Sequence, residues 1–153
     1  MVKKLILFFA FILSVFFISS ANAATYYISP AGSDANPGTS ALPWVTFNYA
    51  LITGMIGGDT LIIKDGEYTE SIGYFNQNQP YNSWSPKNGS VSAYTIIKAE
   101  NDGKAVIRNA GVYIGGKVEN GIATGSSYVQ LEGLKLNQSS IVIDHSYNIK
   151  IFF

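Results

Sequence analysis

The chain has 153 residues, with ten basic and ten acidic side chains, one histidine and no cysteine. That count excludes a disulfide framework and any thiolate metal site, and a chain this near neutrality has no basic footprint for nucleic acid. Its length suits one domain once a leader is set aside.

The first 23 residues read as a signal peptide. Lys3 and Lys4 form a charged start, Leu5 to Ile18 is apolar except for Ser14, and Ala21 and Ala23 have the spacing of a signal peptidase site. The alternative, an uncleaved membrane anchor, fits less well. Fourteen residues of helix span only about 21 Å against a hydrocarbon core of ~30 Å. The mature chain, 24–153, is therefore expected to be secreted, whether extracellular, periplasmic or at the cell surface, with no membrane partner after cleavage. Without Lys3 and Lys4 it has eight basic residues against ten acidic, a net charge of −2.

Thr25 to Ser29 has the β-propensity of a first strand, and Pro30, which cannot donate to a ladder, suits an edge. Residues 32–39 (GSDANPGT) form a turn-rich loop. Asp34 and Asn36 are oxygen donors that suit a hard cation, but in such a loop they more often bond back to their own backbone. Pro43 to Met55 reads as a short helix. Thr46 is a candidate cap, and Phe47, Ala50, Leu51 and Met55 make one apolar stripe ended by Gly57-Gly58. A helix there is placed to cover an exposed strand edge.

Thr60-Leu61-Ile62-Ile63 is an apolar run of the kind buried in a parallel sheet. Tyr94 to Lys98 resembles Thr60 to Lys64 at an offset of 34 residues, Tyr128 to Leu131 follows 34 further on, and Tyr147 to Ile151 another 19. Short apolar stretches at 105–107, 112–114 and 141–143 lie between Gly, Asn, Asp and Ser. Repeated strands with few helices indicate a solenoid of stacked coils; a β-sandwich is the rival. No cap is visible after Ile149-Lys150-Ile151-Phe152-Phe153. The chain is accordingly expected to be the amino-terminal, truncated part of a longer protein. The alternative is a small protein that buries this end against a partner, with self-association through the open end.

Tyr26-Tyr27-Ile28-Ser29-Pro30, Gly32-Ser33-Asp34, Asn36-Pro37-Gly38-Thr39, Pro43-Trp44 and Gly58-Asp59-Thr60 through Asp65-Gly66-Glu67-Tyr68 together resemble the opening of secreted right-handed parallel β-helix proteins. These include polysaccharide lyases of the pectate lyase and alginate/chondroitin lyase kinds. The resemblance implies an all-β, right-handed parallel β-helix with a short capping helix around 43–55. It also implies a carbohydrate theme, with uronate-containing polysaccharide as the substrate class; it does not fix a reaction. Such lyases use a Lys or Arg base and often Ca²⁺ held by clustered aspartates, on middle coils. For this chain that implies no cofactor of its own and Ca²⁺ only in a full-length protein.

The residues offer no catalytic set. Asp34, Asp59, Asp65, Asp102 and Asp144 are singly placed, Glu67 and Glu70 follow a corner and read as facing water, and His145 with Ser146 reads as a structural corner. Lys64 and Lys98 are expected to stack in register, as solubilising lysines or a small basic patch. The stretch from Tyr74 to Gly89 combines amides with aromatics and reads as a projecting loop. Tyr81 and Trp84 are its candidate sugar contacts, since flat rings with nearby amides match a sugar's C–H face and hydroxyl rim; the alternative is that both rings fold back onto the coil. The expected function is the amino-terminal fragment of a polysaccharide lyase-like enzyme that itself lacks the catalytic coils. The rival is a non-catalytic adhesin-like or glycan-binding module.

Overall fold

The computed structural model describes residues 23–74, 84–115, 117–119 and 122–153. The leader expected over 1–23 lies outside them except for Ala23. The protein is mostly β, with one short helix.

Twelve strands are described: β1 (Thr25–Ile28), β2 (Thr60–Ile63), β3 (Gly66–Tyr68), β4 (Thr95–Ala99), β5 (Ala105–Arg108), β6 (Gly111–Gly115), β7 (Lys117–Glu119), β8 (Ile122–Thr124), β9 (Ser127–Glu132), β10 (Leu134–Asn137), β11 (Ser140–Asp144) and β12 (Tyr147–Phe152). Three parallel sheets take them in rotation. The first has the order β1-β2-β4-β9-β12, the second β3-β5-β10, and the third pairs β6 with β11. Among the described strand pairs only the β7–β8 hairpin is antiparallel, alongside isolated antiparallel bridges at Tyr74–Trp84 and Ser90–Ala93. A β-sandwich, whose sheets are antiparallel, is therefore the wrong reading.

Alternation explains which side of each strand is buried. In β4 the residues Thr95, Ile97 and Ala99 point inward while Ile96 and Lys98 point outward, and β9 repeats this with Ser127, Val129 and Leu131 buried. Strands whose side chains alternate can stack their inward residues directly on one another. Tyr26, Leu61, Ile97, Leu131 and Ile151 occupy one column through the first sheet. Ala105 and Leu134 continue the core in the second sheet, and Val112 and Ile114 in the third.

The register differs from the sequence expectation at two steps. Thr60 pairs with Ile96 and Ile62 with Lys98, a step of 36 residues rather than 34; the next step, from Ile96 to Gln130, is 34. The last step is 20 rather than 19, with Tyr147 paired to Ser127 and Ile149 to Val129. Lys64 and Lys98 consequently do not stack; Ile62 lies beside Lys98. A slip of two residues keeps every side chain on its own face, so the hydrophobic pattern cannot detect it.

The helix is shorter than the expected span of 43–55. It comprises α1 (Phe47–Tyr49) and a π-helical turn at Ala50–Gly54, closed by the Met55 N–H donating to the Ala50 carbonyl at 3.0 Å. Thr46 is the N-cap, as its position suggested, and accepts from the Tyr49 N–H at 3.1 Å. Of the residues before it, Trp44 forms an isolated parallel bridge to Ile28 instead of joining the helix. The Trp44 N–H donates to the Tyr27 carbonyl and its own carbonyl accepts from Ser29 N–H, which holds Trp44 beside β1. Its ring stacks on Tyr26 at 4.6 Å. Phe47, Ala50, Leu51 and Met55 are all buried, so the predicted stripe is the one that packs.

Candidate functional site

The polar residues of the opening segment are structural. The Asp34 carboxylate accepts from the Val45 and Thr46 N–H groups, both at 3.0 Å, and from the Thr46 hydroxyl at 2.6 Å. Burial raises its carboxyl, but these three hydrogen bonds outweigh it and hold the group below its ordinary value. Asn36 donates to the Pro43 carbonyl at 2.9 Å and accepts from the Trp44 indole at 2.8 Å through its own carbonyl. Asp59 is buried and bridges the Ala24 and Ile56 N–H groups, each at 2.8 Å. Thus the Gly-Asp-Thr turn after the helix also clasps the start of β1. Glu70, expected to face water, instead accepts from the N–H groups of Phe47 and Asn48 at the helix start. Glu67 pairs with Arg108 on the surface.

His145 and Ser146 form a corner. His145 is exposed with φ of 49° and its Nδ1 lies 2.7 Å from Asp144. The Ser146 hydroxyl donates toward the Ile114 and Asp144 carbonyls and accepts from the Ser126 N–H. A hydroxyl engaged in this way is held away from its neighbour's imidazole and serves the corner.

Of the two candidate sugar contacts, Tyr81 lies outside the described residues. Trp84 is half-buried against the core, and its backbone pairs with Tyr74 through two hydrogen bonds of 2.6 and 2.8 Å. Tyr74 is exposed beside it. Among the described residues there is no group of three or more His, Asp or Glu side chains placed to share a metal ion.

The outer face of the five-stranded sheet holds an arrangement the sequence reading passed over. Tyr94, Tyr128 and Tyr147 stand in a column, with centroids 5.6 and 5.8 Å apart and successive rings edge to face. Lys150, on β12, reaches back so that its ammonium lies 4.1 Å from the centre of the Tyr94 ring. Gln130, Glu132 and Lys98 point outward from the neighbouring positions, and Gln130 donates to Glu132. Edge-to-face packing fixes the rings without hiding them, and Tyr147 remains 61% exposed. The signal was present in the sequence, since each tyrosine begins one of the repeated blocks.

Chemically, this face offers aromatic surface and the Lys150 ammonium group, while the Glu132 carboxylate engages the Gln130 amide and lies at the position paired with Lys98. The rings and the Lys150 ammonium attract a ligand with apolar C–H faces and a negative charge.

No family model matches the chain, and no curated protein matches it. Among solved structures it is similar to a rhamnogalacturonan lyase, with a TM-score of 0.53 and 20% identity, covering 74% of this chain and 28% of that one. The chain thus spans a little over a quarter of that protein's length. At this identity the likeness is one of fold, a mostly β architecture with parallel sheets. The family expected from the opening residues is supported to that extent.

Proposed function

We propose that this is an exported, carbohydrate-associated protein built as a right-handed parallel β-helix, the amino-terminal part of a polysaccharide lyase-like enzyme acting on uronate-containing polysaccharide. Three parallel sheets visited in rotation support the solenoid reading, as does the likeness in fold to a rhamnogalacturonan lyase. The observation that carries the functional part is the tyrosine column on the outer sheet face with Lys150 against it. A uronate presents a C–H face to an aromatic ring and a carboxylate to an ammonium group, and this face provides both within one side-chain length. Tyr81 and Trp84, on the segment between β3 and β4, are proposed as further contacts to the same polymer. Catalysis belongs to coils outside this chain, with Ca²⁺ entering there.

Calorimetric titration of residues 24–153 with oligogalacturonate tests this reading. Binding that weakens at least about fivefold in Tyr147→Ala, and weakens again as salt screens Lys150, is expected. Absence of binding, or binding that ignores both changes, would overturn it. The second reading, a glycan-holding module that does no chemistry, is favoured by the singly placed aspartates. It is told apart by absorbance of unsaturated uronate when pectate or alginate is supplied to the full-length protein.

A further inference from the structure

A second concave surface lies elsewhere, at the corner between the second and third sheets. Each coil turns that corner through one non-glycine residue in the left-handed region, Asn109 with φ of 52° and Gln138 with φ of 53°. They occupy matching places one coil apart, since Arg108 pairs with Asn137 and Gly111 with Ser140. A groove of about 740 Å³ opens there, lined also by Ser71, Gly111, Tyr113 and Ser140.

Two features make this corner more than a bend. Asn109 and Gln138 are both exposed, and neither amide has a hydrogen-bond partner among the described residues. The corner's own needs are met by other groups: Ser139 donates to the Ile107 and Asn137 carbonyls, and Ser71 accepts from the Gly111 N–H. In addition, Tyr113 lies back over Gly111, where a Cβ would fall 2.3 Å from the ring. The missing side chain at 111 is what lets the ring sit along the groove.

We infer that this corner groove is a binding site for neutral sugar residues. The lining holds no carboxylate, ammonium or guanidinium, so it lacks the means to select a charged ligand. It has two unengaged amides, each both donor and acceptor, to meet paired hydroxyls, and one aromatic ring for a C–H face. The repeat of amides from one coil to the next suits consecutive sugars of a chain running along the solenoid. This site is independent of the lysine-bearing face and does not rest on its assignment.

The test uses residues 24–153 with galactotetraose and cellotetraose as probes, measured by calorimetry at low and high salt. Binding of at least one with a Kd of about 1 mM, insensitive to salt because no charge takes part, is expected. The double variant Asn109→Gly/Gln138→Gly is expected to bind at least about tenfold more weakly. Its unfolding temperature should not fall, since glycine accepts the left-handed backbone. Should that variant prove unstable, Tyr113→Ala, which removes an outward-facing ring, is to show the same loss. Failure of both tetrasaccharides to bind at about 20 mM, or affinity unchanged in the folded variants, would overturn the inference, as would tighter binding of trigalacturonate that depends on the same residues.

Discussion

Glu70 accepts the Phe47 N–H at 2.6 Å, joining the segment after β3 to the start of the only described helix across 23 residues of sequence. The second carboxylate oxygen takes the Asn48 N–H at 3.0 Å. Two of the donors that every helix start leaves unpaired are thus satisfied by a neighbouring coil. Glu70→Ala is expected to lower stability by about 1–2 kcal/mol, read as a fall in denaturation midpoint with an unchanged slope. An unchanged midpoint would show that water replaces the carboxylate at no cost.

Asp59 makes a stronger case because it is buried. Removing its carboxylate leaves the Ala24 and Ile56 N–H groups without acceptors. Asp59→Ala should cost about 2–4 kcal/mol, and Asp59→Asn, which keeps one acceptor, less than that. Equal stability of the Asn and Ala variants by chemical denaturation would contradict this bridging role.

Asp34 gives the fold an acid-sensitive component. Its folded carboxyl titrates below the ordinary value of 3.8 because hydrogen bonds from Thr46 and Val45 overcome the effect of burial. A depressed folded pKa contributes stability that is fully present above pH 3.8 and is lost as pH falls through the folded value. Unfolding temperature measured from pH 5 to pH 2 should therefore decline less steeply in Asp34→Asn than in the wild type. Parallel declines would place the acid sensitivity elsewhere.

Inward and outward positions on one strand should respond differently. Ile97 is fully buried between Leu61 and Leu131, while its neighbour Ile96 faces outward. Ile97→Ala is expected to cost about 3 kcal/mol and Ile96→Ala less than about 1. Similar losses at both, by equilibrium unfolding, would mean that the strand is buried on both faces.

Much of this was legible in the residues, and the parts that were not have identifiable reasons. Thr60 to Ile63 and its repeat at Tyr94 to Lys98 are recognisable as strands, but as unbroken apolar runs they do not reveal that only alternate residues, such as Leu61 and Ile63, turn inward; Thr46 announced the helix cap. The residues read as a helix over Pro43 to Met55 with Thr46 as a candidate cap. Tertiary pairing of Trp44 with Tyr27 and Ser29 decides otherwise, and no local pattern encodes it. Glu70 looked idle because its partners lie 22 and 23 residues away. The repeated tyrosines at 94, 128 and 147 marked the coils correctly, but their meeting as a column appears only once the strands are stacked. The 36-residue first step was hidden for a physical reason, since moving a strand by two residues changes its neighbours without changing its faces.

That first step offers the most direct measurement of whether successive segments stack in parallel as described. The chain has no cysteine, so paired cysteines can be introduced cleanly. Ile62→Cys with Lys98→Cys places the two thiols on directly paired positions, about 4.8 Å apart between strands and within disulfide reach. Ile62→Cys with Ile96→Cys separates them by two residues along the strand, to about 8 Å, beyond that reach. Mild oxidation should close the first pair at least about tenfold faster than the second. Faster closure of the Ile62–Ile96 pair, or no closure of either in the folded protein, would contradict the parallel register on which the solenoid and its carbohydrate reading depend.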